Sequence, residues 1–159
     1  MNEREPDPKI NEFIRKLEGL DAGDQARFKR NAGRPLTESH DVLGLFYRLL
    51  PYGVSQFHLE SYFLVATLYP LCNGGGSGDF GTALKRARDP KNNKGLDRRV
   101  EILLDAEDAQ LSFHLRQTVH FLHSKRVRIN WASLLEDLIQ WSHPDRYAQQ
   151  RWARSYFTH

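Results

Sequence analysis

The spacing of apolar residues is the feature that most limits what this chain can fold into. Through most of its 159 residues they recur at intervals of three and four, which places them along one side of an α-helix. No pair of alternating segments flanks an Asn-Gly or Asp-Gly turn, so no β-hairpin is predicted. We therefore predict an all-α fold, a compact bundle of about eight or nine helices.

The helices differ in how much of their surface is apolar. The segment from Phe57 to about Leu71 is apolar on almost every side, which is typical of a central buried helix. We expect Asp79 and Asn130 to act as N-caps, and Pro144 to open the last helix. The three tryptophans fall in the last 29 residues at helical spacing, which favours a place in the core over base stacking.

A glycine-rich segment interrupts the helical pattern near the middle of the chain. It reads NGGGSG from Asn73 to Gly78, and so many glycines make a regular element too costly in backbone entropy. We expect a mobile loop here. The loop would separate two helical lobes, residues 1–78 and 79–159, within one structural unit.

Composition excludes several classes of protein. A single cysteine, Cys72, leaves no internal disulfide and no multi-cysteine zinc site. No apolar run approaches the roughly 18 residues of a membrane span, and MNEREPDPKI lacks the apolar stretch of a signal peptide. We expect a protein of a reducing compartment, most simply cytoplasmic, with no membrane partner.

Several local patterns match catalytic or binding motifs without the context that those motifs require. Residues 76–81 match G-x-G-x-x-G, but no strand precedes the match, so no dinucleotide site is predicted. The histidines His114, His120 and His123 lack the further ligands and the second shell of a metal site. The acidic cluster at 105–108 lies where one predicted helix stops and the next starts, so capping and the helix dipole explain it; its members are Asp105, Glu107 and Asp108. Cys72 has no recognisable catalytic partner. We predict no metal, no cofactor and no enzymatic activity.

Positive charge is concentrated in three parts of the chain, although the formal net charge is only +3. Residues 25–36 carry net +4, residues 80–99 carry net +5 and residues 109–159 carry net +4. Such blocks are either solvated helix faces or the electrostatic footprint of a nucleic-acid backbone. The basic residues that we select as candidates for backbone binding are Lys29, Arg30, Lys85, Arg86, Arg88, Arg98, Arg99, Arg116, Lys125, Arg126 and Arg128.

A series of short motifs along most of the chain resembles one known family. The motifs are FYRLLP at 46–51, GTALKR at 81–86, Arg98-Arg99 with Leu103-Leu104, HLRQ at 114–117, Asn130-Trp131, LLEDL at 134–138, Trp141 and WARSY at 152–156. In their order and spacing they resemble the CasB family, the small subunit of the type I-E CRISPR Cascade surveillance complex. The NGGGSG loop is richer in glycine than we expect for this family.

The resemblance implies an all-helical, non-catalytic subunit present in two copies. Its neighbours would be the crRNA-bearing backbone subunits and the large subunit, and its basic surfaces would hold the target strand and the displaced non-target strand of the R-loop. By position, Lys29 and Arg30 match a basic pair before the FYRLLP motif. Four arginines fall in or beside the later motifs: Arg86, Arg98, Arg99 and Arg116. Lys125, Arg126 and Arg128 fall in a loop that varies in the family, so their assignment rests on charge alone.

Three other functions stay open at this point. The chain is a protein-interaction subunit if its basic blocks face acidic partner surfaces instead of DNA. It is a helix-turn-helix regulator if an exposed polar helix reads base edges. It is a metal-dependent nuclease if the acidic residues at 105–108 hold Mg²⁺.

Overall fold

The computed structural model describes residues 7–158, and within this range the chain forms nine α-helices and no sheet. The all-α prediction is confirmed. The helices are α1 (Pro8–Glu18), α2 (Ala22–Arg30), α3 (Leu43–Leu49), α4 (Leu59–Leu68), α5 (Phe80–Arg86), α6 (Lys94–Asp105), α7 (Asp108–Ser124), α8 (Trp131–Ile139) and α9 (Tyr147–Phe157). The division into two lobes stays a prediction, and its limits at residues 1 and 159 lie outside the described residues.

Polar side chains start several of the helices. The Asp79 carboxylate accepts a hydrogen bond from the backbone N–H of Thr82 at 2.9 Å, and the Asn130 side chain accepts one from Ser133 at 3.1 Å. Both predicted N-caps are therefore confirmed. The prediction for Pro144 is wrong, because the chain first makes a turn that ends with Arg146 in the left-handed region (φ 54°), and α9 begins only at Tyr147.

The central buried helix is α4, in which every residue from Tyr62 to Leu68 is buried. It packs against α2, α7 and α8, while α8 also contacts α1. Short 3-10 turns flank α4 at Gln56–His58 and Tyr69–Leu71. Phe57 lies in the first turn with 86% of its surface exposed, so the buried segment is shorter than its apolar sequence predicts.

Helices α5 and α9 lie in direct backbone contact. A Cβ atom on Gly81 of α5 would lie only 2.7 Å from the Cα of Trp152 on α9, so a glycine is required there for the helices to approach this closely. Trp152 is fully buried, and its ring stands 4.9 Å from Phe80 and 4.8 Å from Trp141 between centroids. All three tryptophans are buried, as the helical spacing predicted.

A buried carboxylate joins α8 to α9. Asp137 accepts hydrogen bonds from the indole N–H of Trp152 at 2.7 Å and from the Arg151 guanidinium. Burial raises the pKa of Asp137, and these two hydrogen bonds oppose the rise. The start of α5 is tied to α9 as well, because the Ser155 hydroxyl donates to Asp79 at 2.7 Å.

The glycine-rich segment is held by backbone hydrogen bonds. The N–H of Ile129 donates to the carbonyl of Asn73 at 3.0 Å, and the N–H of Gly76 donates to the carbonyl of Ile129 at 3.3 Å. A Cβ on Gly76 would lie 2.8 Å from the carbonyl carbon of Arg128. The segment forms a loop, as expected, and its glycines serve a close approach between two backbone segments.

We predict that Gly81→Ala destabilises the protein by roughly 1–3 kcal/mol, because the added methyl group must push α9 away from α5. Urea unfolding measures the change. Gly95→Ala is the matched control, since a Cβ there meets nothing within 4 Å and the site lies in α6. Alanine at this position is neutral or stabilising. Equal stability of Gly81→Ala and the wild type would contradict the close packing.

We predict that Asp137→Asn changes how stability depends on pH. Between the raised native pKa of Asp137 and the value near 3.8 expected in the unfolded chain, the native state binds more protons than the unfolded state. The wild type therefore gains stability relative to the variant as pH falls through this interval, by on the order of 1 kcal/mol for each unit of pKa elevation. Urea unfolding of both proteins at neutral and mildly acidic pH tests the sign. The prediction is contradicted if the difference in free energy of unfolding between the two proteins does not change with pH. It is also contradicted if the variant gains stability relative to the wild type as pH falls.

Candidate nucleic-acid interface

The predicted site residues lie on the surface. Lys85 and Arg99 are partly buried and all the others are exposed. They do not form one continuous group, because the structure gathers them into two basic surfaces and leaves several outside both. The two surfaces differ in how they are built.

The first surface is an open hollow beside the glycine-rich segment. It is lined by Gly75, Gly76, Ser77 and Val127 and by four basic residues: Arg86, Lys125, Arg126 and Arg128. We call it the glycine-loop hollow. No carboxylate of the described chain lines it, so its electrostatic potential is positive and suits a phosphate group.

Backbone contacts position the cations of the glycine-loop hollow. The Arg86 guanidinium donates to the carbonyl of Ser77 at 2.8 Å and to its hydroxyl at 3.0 Å, which fixes this side chain over the loop. The segment after α7 is held by N–H groups of Lys125, Arg126 and Val127 that donate to the last carbonyls of that helix. Positive side chains at a helix C-terminus also interact favourably with the helix dipole.

Two cations lie around an aromatic ring near this hollow. The Arg99 guanidinium lies 5.1 Å from the centroid of the Phe121 ring, and the Lys125 ammonium lies 5.7 Å from it. These cation–π contacts hold Arg99 of α6 close to Lys125 at the end of α7. They extend the positive surface from the hollow towards α6.

The second surface lies along one side of α7, near the C-terminal end of α2, and we call it the α2–α7 basic surface. It consists of Lys29, Arg116, His120 and His123. The side chain of Arg116 packs on Gly33, just beyond α2, where an added Cβ would stand 3.3 Å from its Cδ. Burial, and then the charges of Arg116, Lys29 and His123, lower the pKa of His120 from its usual 6.5. The sequence placed His120 and His123 on a helix face without a role, although their spacing from Arg116 puts them on its side of α7.

Other predicted residues have partners within the protein. Arg88 forms an ion pair with Asp97 at 3.2 Å and lies over the Tyr156 ring at 5.1 Å. Lys85 donates to the carbonyl of Thr158 at 2.6 Å. Both contacts tie α5 and α6 to the C-terminal helix, so they serve the fold.

Two arginines lie near acidic side chains on the surface. Arg30 is 3.5 Å from Asp41 in an exposed ion pair. Arg98 lines a shallow depression together with Glu101 and Asp105. The positive potential at both positions is therefore weaker than at the two basic surfaces.

Within the described residues, the other catalytic and metal-binding motifs considered in the sequence do not come together as a site. No three His, Cys, Asp or Glu side chains of residues 7–158 come together as metal ligands. Cys72 is buried, donates to the carbonyl of Val127 at 3.1 Å, and has its pKa raised to about 11 by burial. A thiol with this pKa is a poor nucleophile near neutral pH. In this same range, no helix combines the length and the apolar character needed to span a bilayer.

Comparison with known proteins gives consistent matches over nearly the whole chain. The family model of "CRISPR-associated protein Cse2" matches residues 24–157. The CRISPR-associated protein Cse2 of Thermus thermophilus is 31% identical over 164 residues, which cover 96% of this chain and 90% of that protein.

Solved structures show the same fold. The crystal structure of M. ruber CasB superposes with a TM-score of 0.78 at 27% identity and covers 94% of this chain and 92% of its own. A chain of a CRISPR RNA-guided surveillance complex superposes with a TM-score of 0.78 at 17% identity, covering 94% and 91%, which shows likeness of fold. With the family model matching most of its length, this chain belongs to the CRISPR-associated Cse2 family, also called CasB.

Proposed function

We propose that this protein is the non-catalytic small subunit of a CRISPR surveillance complex of the Cascade type. In that complex it binds the sugar-phosphate backbone of the target strand and of the displaced non-target strand, near the crRNA, and stabilises the R-loop. The observation that carries the proposal is the glycine-loop hollow, where Arg86, Lys125, Arg126 and Arg128 converge with no carboxylate among them. Membership of a CRISPR-associated family, and a fold also found in an RNA-guided surveillance complex, support it.

Phosphate binding at this hollow would act on the equilibrium between duplex DNA and the R-loop, whose two sides are close in free energy. In R-loop formation, base pairs broken in the DNA are replaced by guide–target pairs of similar stability. A subunit that binds either separated strand without reading sequence therefore shifts the equilibrium towards the open state. Arginine suits this role, because its planar guanidinium stays charged and can bind a phosphate through two hydrogen bonds.

The same proposal includes the partners of the chain. These are the backbone subunits and the large subunit of the complex, the crRNA, both DNA strands and a second copy of this chain. We propose a cytoplasmic location, with no bound cofactor and no role for a membrane.

A second candidate function, a scaffold that contacts only proteins, has its own support. A groove near the starts of α4 and α7 and the end of α8 exposes Phe57 beside Leu64 and Leu138. Its charged lining residues are three acids and one base, which are Glu60, Glu107, Asp108 and Arg34. Its negative charge disfavours nucleic acid and favours a protein partner with apolar and basic side chains. The two functions differ in whether DNA touches the chain.

We predict that a triple variant of the hollow, Arg86→Ala, Arg126→Ala and Arg128→Ala, still folds and still enters the complex but shortens the R-loop lifetime. Each lost contact with a single-strand phosphate reduces the slope of log K against log salt by roughly 0.7. Dissociation of labelled target DNA from the reconstituted complex, followed over a range of salt, measures both effects. An unchanged lifetime and an unchanged slope would contradict DNA binding at the hollow.

A matched control removes the same charge elsewhere. Arg15, Arg48 and Arg154 are exposed and lie outside both basic surfaces, so their replacement by Ala should leave the lifetime near that of the wild type. Photo-crosslinking from the non-target strand separates the two candidate functions. A crosslink to Lys125–Arg128 supports the hollow, whereas a stable complex without any crosslink to this chain supports the scaffold.

A further inference from the structure

The groove near the starts of α4 and α7 combines buried apolar residues with an exposed aromatic side chain. Four buried residues line it, which are Leu64, Leu111, Leu138 and Trp141. Each of them keeps 5–8% of its surface accessible, so the fold does not close over them. Phe57 lines the groove as well, with 86% of its surface exposed. A phenylalanine ring left in water beside accessible apolar groups is typical of an interaction site.

The charged residues of this groove are mostly acidic, and we call it the acidic groove. Glu60, Glu107 and Asp108 contribute three negative charges to its lining. Arg34 contributes one positive charge, so the net charge of the lining is −2. Both oxygens of Glu60 accept a hydrogen bond from the backbone N–H of Leu36 at 3.2 Å. Within residues 7–158, the carboxylates of Glu107 and Asp108 form no ion pair and no hydrogen bond, so they are available to a partner.

The acidic groove is large and its walls are held in place. Its volume is about 660 Å³, within the range of roughly 300–1,000 Å³ that is usual for ligand-binding clefts. The walls come from four separate parts of the chain, within residues 33–35, 57–64, 107–112 and 138–142. Helix α4 packs on both α7 and α8. The groove therefore exists before any partner binds.

The charge of the acidic groove limits what can occupy it. A nucleic-acid backbone is repelled, because its phosphates meet a lining of net negative charge. A second copy docked about a two-fold axis would place the same groove on both sides of the contact, so two negative linings would face each other. A protein surface that carries Lys or Arg around an apolar side chain matches both the charge and the apolar lining.

We propose that the acidic groove binds a segment of a neighbouring protein subunit in which an apolar side chain is flanked by Lys or Arg. The apolar side chain packs on Phe57 and the buried lining, and a cation lies near Glu107 and Asp108. The inference rests on the proposed function only for the neighbours, which are other subunits of the complex. DNA and this protein segment then use separate surfaces, since the acidic groove and the glycine-loop hollow share no lining residue.

Photo-crosslinking in the reconstituted complex identifies the occupant. The full chain carries the substitution Phe57→p-benzoylphenylalanine, and mass spectrometry locates the crosslinked peptide. We expect a segment of another subunit that contains an apolar residue and in which Lys and Arg outnumber Asp and Glu. The control position is Phe157, an exposed phenylalanine outside the groove. The same substitution there should not give this peptide.

Substitutions at exposed groove positions test the contact energetically. Phe57→Ala and Glu107→Lys should each weaken binding of the labelled chain to a complex assembled without it, by roughly tenfold. Fluorescence anisotropy measures this affinity. The effect of Glu107→Lys should decrease at high salt, because it is electrostatic, whereas that of Phe57→Ala should persist. Tyr52→Ala and Glu18→Lys make the same kinds of change at exposed positions outside the groove and should bind as the wild type does.

A charge exchange tests whether Glu107 faces a cation of the partner. Replacing a Lys or Arg of the crosslinked segment by Glu should weaken binding of the wild-type chain. The same replacement should restore binding of the Glu107→Lys variant, because the two charges are again opposite. Failure to restore it contradicts the assigned orientation of the segment in the groove.

The outcomes separate this inference from the proposed function. It is overturned if position 57 gives no crosslink, or crosslinks to DNA, to crRNA, to a second copy or to an acidic segment. Wild-type affinity of both groove variants overturns it too, and DNA binding at the hollow then still stands. Conversely, the triple variant of the hollow can leave the R-loop lifetime unchanged while the groove variants weaken assembly. In that case the proposed DNA contact fails and this inference is supported.

Discussion

The contact between α5 and α9 at Gly81 and Trp152 is the constraint on which much of the structure depends. The two backbones approach so closely that no side chain fits at position 81. The Trp152 ring fills the space between Phe80 and Trp141 and binds the buried carboxylate of Asp137 on α8. This one contact region fixes α5 and α8 relative to each other, and the cations of the glycine-loop hollow are carried by the end of α5 and by the residues just before α8.

A second close backbone approach completes the hollow. The segment from Asn73 to Gly76 pairs with Ile129 through two hydrogen bonds, and the absence of a side chain at Gly76 permits the approach. The indole N–H of Trp131 donates to the carbonyl of Cys72 at 3.2 Å. This hydrogen bond fixes the residue before Asn73 to the start of α8. Because these anchors are backbone groups and buried rings, the cations at the rim need no acidic partners and keep their charge available for a ligand.

The basic residues of this chain divide into two roles that their charge does not distinguish. Arg88 and Lys85 bind Asp97, the Tyr156 ring and the Thr158 carbonyl, so they hold α5, α6 and α9 together. The basic residues of the glycine-loop hollow and of the α2–α7 basic surface instead face solvent. Helix α7 connects these surfaces, since Arg116, His120 and His123 lie along it and Lys125 follows its end. Its other side packs on α4 and α6, which makes it a rigid support for both.

The amino-acid sequence by itself determined the all-α class, the N-caps Asp79 and Asn130, the burial of the tryptophans and the family. Each of these depends on interactions between residues close in the chain or on motifs read in order. The exposure of Phe57 and the start of the last helix at Tyr147 were not predicted correctly. Both depend on residues distant in sequence, which determine which apolar side chain is covered and where a turn ends. Only the tertiary structure determines which positively charged side chains lie close together. Arg86 and Arg128 come from separate parts of the chain, and only the packing of α5, α9 and α8 and the pairing at Ile129 bring them to one hollow. The sequence gives the charge of each residue, but the electrostatic potential at a site depends on the distances between charges, and folding sets those distances.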